Sequence, residues 1–235
     1  MATSSKTHSP VVGVLALQGD YDSHALALRQ AHAVPWMVRA REELTGLDGL
    51  IVPGGESTTF LKLLEREGLF APLRDFAASQ PTFGTCAGCI LLANRVSHPE
   101  QSSLGVLDIA VERNAYGRQI DSQILLGDTS LPGGPLEMVY IRAPRITAVG
   151  PGVEVLARRD DFAVMVRQNN ILAATFHPEL SDDRRVHRYF IEMVLAHRQG
   201  ESAPRSSTPA STNPTTTGPT MIDPSTPAAR GRAAD

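Results

Sequence analysis

Two apolar runs near the start of the chain, "VVGVLAL" (11–17) and "GLIVPGG" (49–55), and a third, shorter strand-like segment, "PTFGT" (81–85), each lead into a glycine-bearing turn and then a stretch with helical spacing. Uninterrupted apolar runs of this length suit strands buried on both faces, which requires a sheet covered by helices on both sides. The first run precedes "DSHALALRQAHA" (22–33), with Asp22 or Ser23 placed to cap a helix. Helical stretches over about 58–67 and 70–79 follow the second run, and the third feeds a helix starting near Ala87. Strand and helix in alternation predict a parallel sheet with right-handed crossovers. After Asn94 the texture changes: "LDIAVER", "MVYIRAP", "VEVLAR", "FAVMVRQ" and "ILAATFH" crowd together, and a last helix spans roughly 182–198. The expected fold class is α/β: a single three-layer domain over 11–199, with a mostly parallel central sheet, helices on both faces and extra antiparallel strands.

Composition narrows the function classes. With 235 residues, 42% hydrophobic and 20% charged, the chain can bury one α/β core but not two generous ones. A net charge of -3 gives neither a nucleic-acid footprint nor a polybasic membrane patch. No apolar run approaches the roughly 20 residues of a spanning helix, and "MATSSKTHSPVVGV" lacks the pattern of a secretory signal. Two cysteines do not make a disulfide scaffold. The expectation is a soluble, reduced, cytoplasmic protein. Residues 1–10 read as a flexible lead. Residues 200–235, rich in Ser, Thr, Pro and Ala, read as a disordered tail, because such a segment buries too little surface to offset its chain entropy.

In an open parallel sheet, ligands bind outside the carboxyl ends of the strands. "PGGEST" (53–58), "GTCAG" (84–88) and "FHPEL" (176–180) all sit at such ends and are expected to converge. Gly-x-nucleophile-x-Gly between strand and helix has the shape of a nucleophile elbow, whose flanking positions must lack side chains. Cys86 would stand at a helix N-terminus, where the dipole and free N–H groups favour a thiolate. The amide of Ala87 would face a developing oxyanion. Cys89 complicates this, since C-x-x-C also serves redox dithiols and half zinc sites. The Trp-Cys context of thioredoxin-like proteins is missing, and no further cysteine completes a second zinc knuckle. A nucleophile beside a buried bystander is the favoured reading; spacing alone leaves the redox pair open.

A thiol acting on a carbonyl needs a base that later serves as acid, a role suited to histidine near neutral pH. His177 is the candidate, oriented by Glu179. Pro178 is expected to hold the segment extended, so that residues two apart project to one side. "PGGEST" lacks the Gly-Lys-Ser/Thr ending of a phosphate loop. Its paired glycines instead let backbone N–H groups approach a ligand, making Gly55 a second oxyanion donor, with Glu56 and Ser57 able to contact a polar substrate. The remaining histidines read as structural: His8 in the lead, His32 and His197 on helix faces, His98 in a loop, His187 on the last helix. His24, closing the "QGDYDSH" loop, reads as surface or interface.

A Gly-Gly turn, a cysteine elbow and a later His-x-Glu together resemble a class I glutamine amidotransferase domain. Within that superfamily, "GVLALQGDYDSH" (13–24), "PGGESTTF" (53–60), "FGTCAGCILLA" (83–93), "ERNAYGRQIDS" (112–122), "YIRAPRI" (140–146) and "TFHPEL" (175–180) resemble the glutaminase subunits of pyridoxal 5′-phosphate synthase, in collinear order over about 11–198. The resemblance implies that glutamine is hydrolysed and its ammonia delivered to a synthase subunit within a large hetero-oligomer. That subunit builds pyridoxal 5′-phosphate from a pentose phosphate and a triose phosphate. No metal and no cofactor are implied, nor any nucleic-acid or membrane partner. Position by position, Cys86 is the implied nucleophile, His177 the proton shuttle and Glu179 its holder. Gly55 and Ala87 would supply the oxyanion hole, and Gly55, Glu56, Ser57, Arg113, Ile141 and Arg142 the glutamine site. A guanidinium fork fits glutamine's α-carboxylate. Cys89 departs from the family, which usually has an aliphatic residue there, and the tail is longer than usual. The resemblance also implies stimulation by the synthase, with "QGDYDSH" the candidate sensor. Two rival readings are a glutaminase serving another synthase, such as that for imidazole glycerol phosphate, and a silent binding module on the same fold.

Overall fold

A computed structural model describes residues 8–113 and 122–200. Most of the lead, the greater part of the "ERNAYGRQIDS" motif and the tail from residue 201 lie outside the described residues.

The first half alternates as its apolar pattern predicts. Strands β1 (Val11–Leu15), β2 (Val34–Val38), β3 (Gly49–Val52) and β4 (Thr82–Thr85) are separated by helices α1 (Tyr21–Gln30), α2 (Ser57–Arg66) and α3 (Phe70–Ser79). A short helix α4 (Ala87–Leu92) follows β4. Then come β5 (Ala93–Ser97), β6 (Leu107–Glu112), β7 (Ser122–Gly127), β8 (Leu136–Ile141), β9 (Arg145–Val149), β10 (Glu154–Arg159), β11 (Phe162–Gln168) and β12 (Ile171–Ala174), before α5 (Arg185–Arg198).

A seven-stranded sheet in the order β10-β11-β12-β4-β3-β1-β2 forms the middle layer. Its β12-β4-β3-β1-β2 portion is parallel throughout, while β10 and β11 extend it in antiparallel fashion. Burial on both faces follows the two-residue period of a strand. Leu15, Leu50 and Val52 join one apolar cluster with Phe60, Leu64 and Leu73 of α2 and α3. Val12, Val14, Ile51 and Phe83 join another with Leu28 of α1 and Phe190 and Val194 of α5. Helices therefore cover both faces, as expected of the α/β class. A three-stranded sheet β5-β6-β9 and a β7-β8 pair complete the described architecture.

Some local expectations differ from what is observed. Four strands, β2, β5, β7 and β9, are not among the strand-like runs read in the sequence. In β2 the residue Pro35 would ordinarily argue against a strand, but this strand is at the sheet edge, where a missing N–H is tolerated. Helix α1 begins at Tyr21 after Asp20, without a side-chain cap, so neither Asp22 nor Ser23 caps it. His32 sits in the turn after α1 with φ 63° rather than on a helix face. Helix α5 starts at Arg185, later than the expected 182.

Candidate active site

The turn from β4 into α4 is as cramped as its sequence requires. Cys86 adopts φ 47° and ψ -104°, a conformation costly for any residue with a side chain. Its N–H is anchored to the Ala174 carbonyl at 2.9 Å and its carbonyl accepts the first helical bond from Ile90 at 3.2 Å. A Cβ on Gly88 would lie 2.0 Å from the Val52 carbonyl oxygen, and one on Gly84 would meet the Gly88 backbone at 2.7 Å. Both flanking glycines are therefore demanded by space. Ala87 opens α4, so its N–H has no acceptor within the helix.

Gly54 lets the distant histidine in. A Cβ there would fall 2.4 Å from His177 Cε1 and 3.3 Å from Cys86 Cβ, which places the imidazole beside the cysteine. His177 Nδ1 lies 2.7 Å from Glu179 Oε1, and both side chains are buried. The reason differs from the one read in the sequence. Pro178–Leu180 form a 3₁₀ turn rather than an extended run, and this curl folds the carboxylate back onto the ring. The segment is held by His177 N–H donating to the Val139 carbonyl at 2.8 Å.

Electrostatics couple these groups. Burial opposes a charge on His177, but hydrogen bonds to Cys86 and Glu179, with their negative charges, override it and raise the imidazole's basicity. Burial likewise opposes the Glu179 carboxylate, and the neighbouring His24 and His177 override that, holding its pKa low. The Cys86 sulfur also lies 3.9 Å from the Ile141 carbonyl oxygen.

A cavity of about 330 Å³ opens onto the sulfur and is lined by Gly55, Glu56, Ser57, Cys86, Arg113, Ile141, Arg142 and His177, with Asp20 and Ile90. Of the expected site residues, Ala87 and Glu179 sit behind this lining. Arg142 is held at φ 43° just past the end of β8. The Glu56 carboxylate acts locally as the cap of α2, accepting from Thr58 N–H at 3.0 Å and Thr59 N–H at 2.7 Å. Burial works against this carboxylate, but those bonds and the Thr59 hydroxyl hold it down to about 2. Arg113 Nη2 donates to the Thr58 hydroxyl at 2.8 Å, with Glu56 Oε1 at 3.5 Å. Asp20, His177 and Glu179 each bring a potential metal-ligating atom within 4.8 Å of the others, but the last two are already engaged with each other.

Two histidines read as structural or superficial belong to the site's interior. His24 and His187 are both fully buried, and His24 reaches Glu179. A signal was available. His24 precedes Ala27 and Leu28 at helical spacing, and His187 precedes Phe190, Ile191 and Val194 in the same way, so each lies on an apolar face.

The chain has relatives of similar sequence and fold. A protein of Koribacter versatilis named pyridoxal 5′-phosphate synthase subunit PdxT is 59% identical over 190 residues, covering 81% of this chain and 98% of its own. A protein of the same name from Solibacter usitatus is 51% identical, covering 78% and 98%. A crystal structure described as a glutamine amidotransferase superposes with a TM-score of 0.73 at 49% identity, covering 78% of this chain and 98% of that one. The structure of PurLQS from Thermotoga maritima shares the fold, with a TM-score of 0.57 at 17% identity, covering 82% and 98%. The model of the SNO glutamine amidotransferase family matches residues 14–196, and the chain belongs to that family.

Proposed function

We propose that the chain hydrolyses L-glutamine to L-glutamate and ammonia, and hands the ammonia to a synthase subunit making pyridoxal 5′-phosphate. The observation that carries this reading is the placement of the His177–Glu179 pair beside the strained Cys86 elbow, at the floor of a cavity with two arginines. Relatives matched over 98% of their own length bear the name of that synthase's subunit. The activity is assigned to residues 11–199, in the cytoplasm, within a large hetero-oligomer.

The chemistry follows from the positions. His177 takes the Cys86 thiol proton, the sulfur attacks the side-chain amide carbon of glutamine, and the resulting oxyanion is met by the N–H groups of Gly55 and Ala87. His177 passes a proton to the departing nitrogen, so ammonia leaves and a γ-glutamyl thioester remains. The same imidazole then takes a proton from water, whose oxygen displaces the sulfur to give glutamate. Glu179 keeps the ring aligned through both halves. Arg142 and Arg113 offer charge-assisted bonds to the α-carboxylate, with Ser57, Glu56 and the Ile141 backbone completing the glutamine site. None of these steps calls on a metal or a cofactor.

Ammonia and glutamate release by the full chain, measured with and without the synthase subunit, tests the reading. Release is expected with the synthase and is expected to vanish in Cys86→Ala. Equal release by wild type and Cys86→Ala would refute the nucleophile, and recovery of a different synthase in a pull-down would refute the partner.

A further inference from the structure

Glu179 is held from two sides, and only one belongs to the triad. Its Oε1 faces His177 at 2.7 Å, while its Oε2, buried without a hydrogen-bond partner among the described residues, lies 3.4 Å from His24 Nε2. That ring is itself fixed at both nitrogens: Nε2 lies 3.1 Å from the Thr85 hydroxyl and Nδ1 lies 3.1 Å from His187 Nε2. Phe83 packs edge-on against both rings. His187 Nδ1 is buried without a partner among the described residues.

One assignment of hydrogens suits this chain. If His187 Nε2–H donates to His24 Nδ1, the atom left alone at His187 is a lone pair rather than an orphaned N–H. The hydrogen on His24 then sits on Nε2, the atom hydrogen-bonded to the Thr85 hydroxyl and 3.4 Å from the carboxylate, instead of presenting a lone pair to a negative charge. Both rings remain neutral. Burial lowers the basicity of His24 most, with Glu179 and Asp20 opposing and His177 adding to the effect. Burial, reinforced by His24 and Arg184 and opposed by Glu179, pushes His187 down to about 3. The charged or titratable groups facing His24 are thus Asp20 before α1, His177 and Glu179 from the 3₁₀ segment, and His187 of α5 with Arg184 beyond.

We propose that His24 is a positioning residue for the Cys86–His177–Glu179 relay, its Nε2–H dipole attracting Glu179 Oε2 across 3.4 Å while His187 and Thr85 lock its ring and tautomer. The proposal rests on the glutaminase reading above. Without that dipole, a buried carboxylate oxygen that has no hydrogen-bond partner among the described residues loses a favourable neighbour, the acid protonates more readily, and His177 loses part of the charge that sustains its imidazolium.

The test compares His24→Gln, His24→Asn and His24→Leu in the full chain. The Gln amide nitrogen reaches toward the place of Nε2 and Glu179, whereas the Asn amide reaches only toward that of Nδ1 and His187. Two readouts are taken: glutamine turnover with the synthase subunit, and the pH dependence of Cys86 alkylation by iodoacetamide on the chain alone, followed by mass spectrometry. The expectation for Leu and Asn is a fall in kcat of about 10–100-fold, with KM within about twofold. The pH at which alkylation sets in is expected to rise. Gln is expected to restore most of both. Folded Leu and Asn variants with wild-type kcat and onset would overturn the proposal, as would equal damage by Asn and Gln. Failure of both Gln and Asn to fold would also count against it, because His24 would then be structural. If Leu alone fails to fold, the Asn–Gln pair decides. Wild-type chain that releases no ammonia would instead sink the glutaminase reading, leaving the alkylation arm to judge the relay.

Discussion

The wall of the cavity that carries Gly55, Cys86 and His177 hangs from the carboxyl ends of β3, β4 and β12, whereas the wall that carries Arg113, Ile141 and Arg142 hangs from β6 and β8. The first three strands are buried at every residue; the other two are buried at alternate residues only. A strand enclosed on both faces has no freedom to shift its register, since a one-residue slip exchanges the side chains of two packed layers. The two walls differ accordingly. Reacting groups sit on the part of the molecule that cannot give, and the arginines proposed to hold the α-carboxylate sit at the ends of half-buried strands. Substitutions in the first wall should therefore damage the fold and turnover together, while those in the second should act on substrate affinity.

The largest break is expected at Glu179. Glu179→Gln leaves His177 without its buried charge partner, and removing one member of such a pair costs about 3–5 kcal/mol. The loss should depend on pH. Glu179 lies below its ordinary 4.5 in the fold, so its contribution is complete above 4.5 and drains as pH falls toward the depressed value. His177 lies above its ordinary 6.5, so its contribution is complete below 6.5 and drains as pH rises toward the raised value. The gap in Tm between wild type and variant should be widest between 4.5 and 6.5 and narrow on either side. A gap that stays constant across pH would show that the pair contributes no charge-dependent stability.

Next comes Gly88→Ala. The added methyl would have to displace the Val52 carbonyl, whose oxygen lies 2.0 Å from where the new carbon would stand, at the centre of the rigid wall. Overpacking of this kind costs about 1–3 kcal/mol, and the elbow would move with it. Thermal melting and glutamine turnover should fall together. Retained turnover at a lowered Tm would mean that the elbow tolerates displacement, erasing the contrast between the walls.

The second wall is probed by Arg142→Ala. Losing one charge-assisted contact to a carboxylate is worth about 2 kcal/mol, or a KM for glutamine raised roughly 30-fold, with kcat and Tm nearly unchanged. A fall in kcat at constant KM would move Arg142 from substrate holding to the reacting wall.

The same division governs what can be read from the sequence. Continuous apolar runs leading into glycine announce β1 and β3, because double burial leaves little room for polar residues, and β4 is marked by the Gly-x-Cys-x-Gly turn after it, whose closeness admits no Cβ. The loops bearing Cys86 and His177 follow from strand ends. In the second half, "SQILLG" and "RITAV" have outward faces of mixed chemistry, with Ile124 and Leu126 exposed. Apolar periodicity alone therefore cannot mark β7 or β9. The contact between His177 and Glu179 is expected from the sequence for a wrong reason, since extended and 3₁₀ backbones both bring residues two apart into reach. The burial of His24 is legible from its place on an apolar helix face, but its partners are not, because they come from β4, the 3₁₀ turn and α5, and proximity across such separations leaves no trace in local spacing.

The smallest effect is expected from Cys89→Ser, and it separates the two walls' chemistry from mere proximity in sequence. Cys86 stands outside the helix at a positive φ, while Cys89 lies within α4, fully buried in the apolar cluster that holds Leu64 and Leu92. Burial, and secondarily the Cys86 charge, drive the Cys89 thiol well above its ordinary range, so it remains protonated and inert. Placing a hydroxyl there should cost about 1–2 kcal/mol of stability through desolvation. Turnover at a temperature where the variant is folded should match wild type, because nothing in the relay touches this sulfur. Turnover lost to the same extent as in Cys86→Ser, with the fold intact, would make the two cysteines a working dithiol and would remove the single-nucleophile chemistry from the rigid wall.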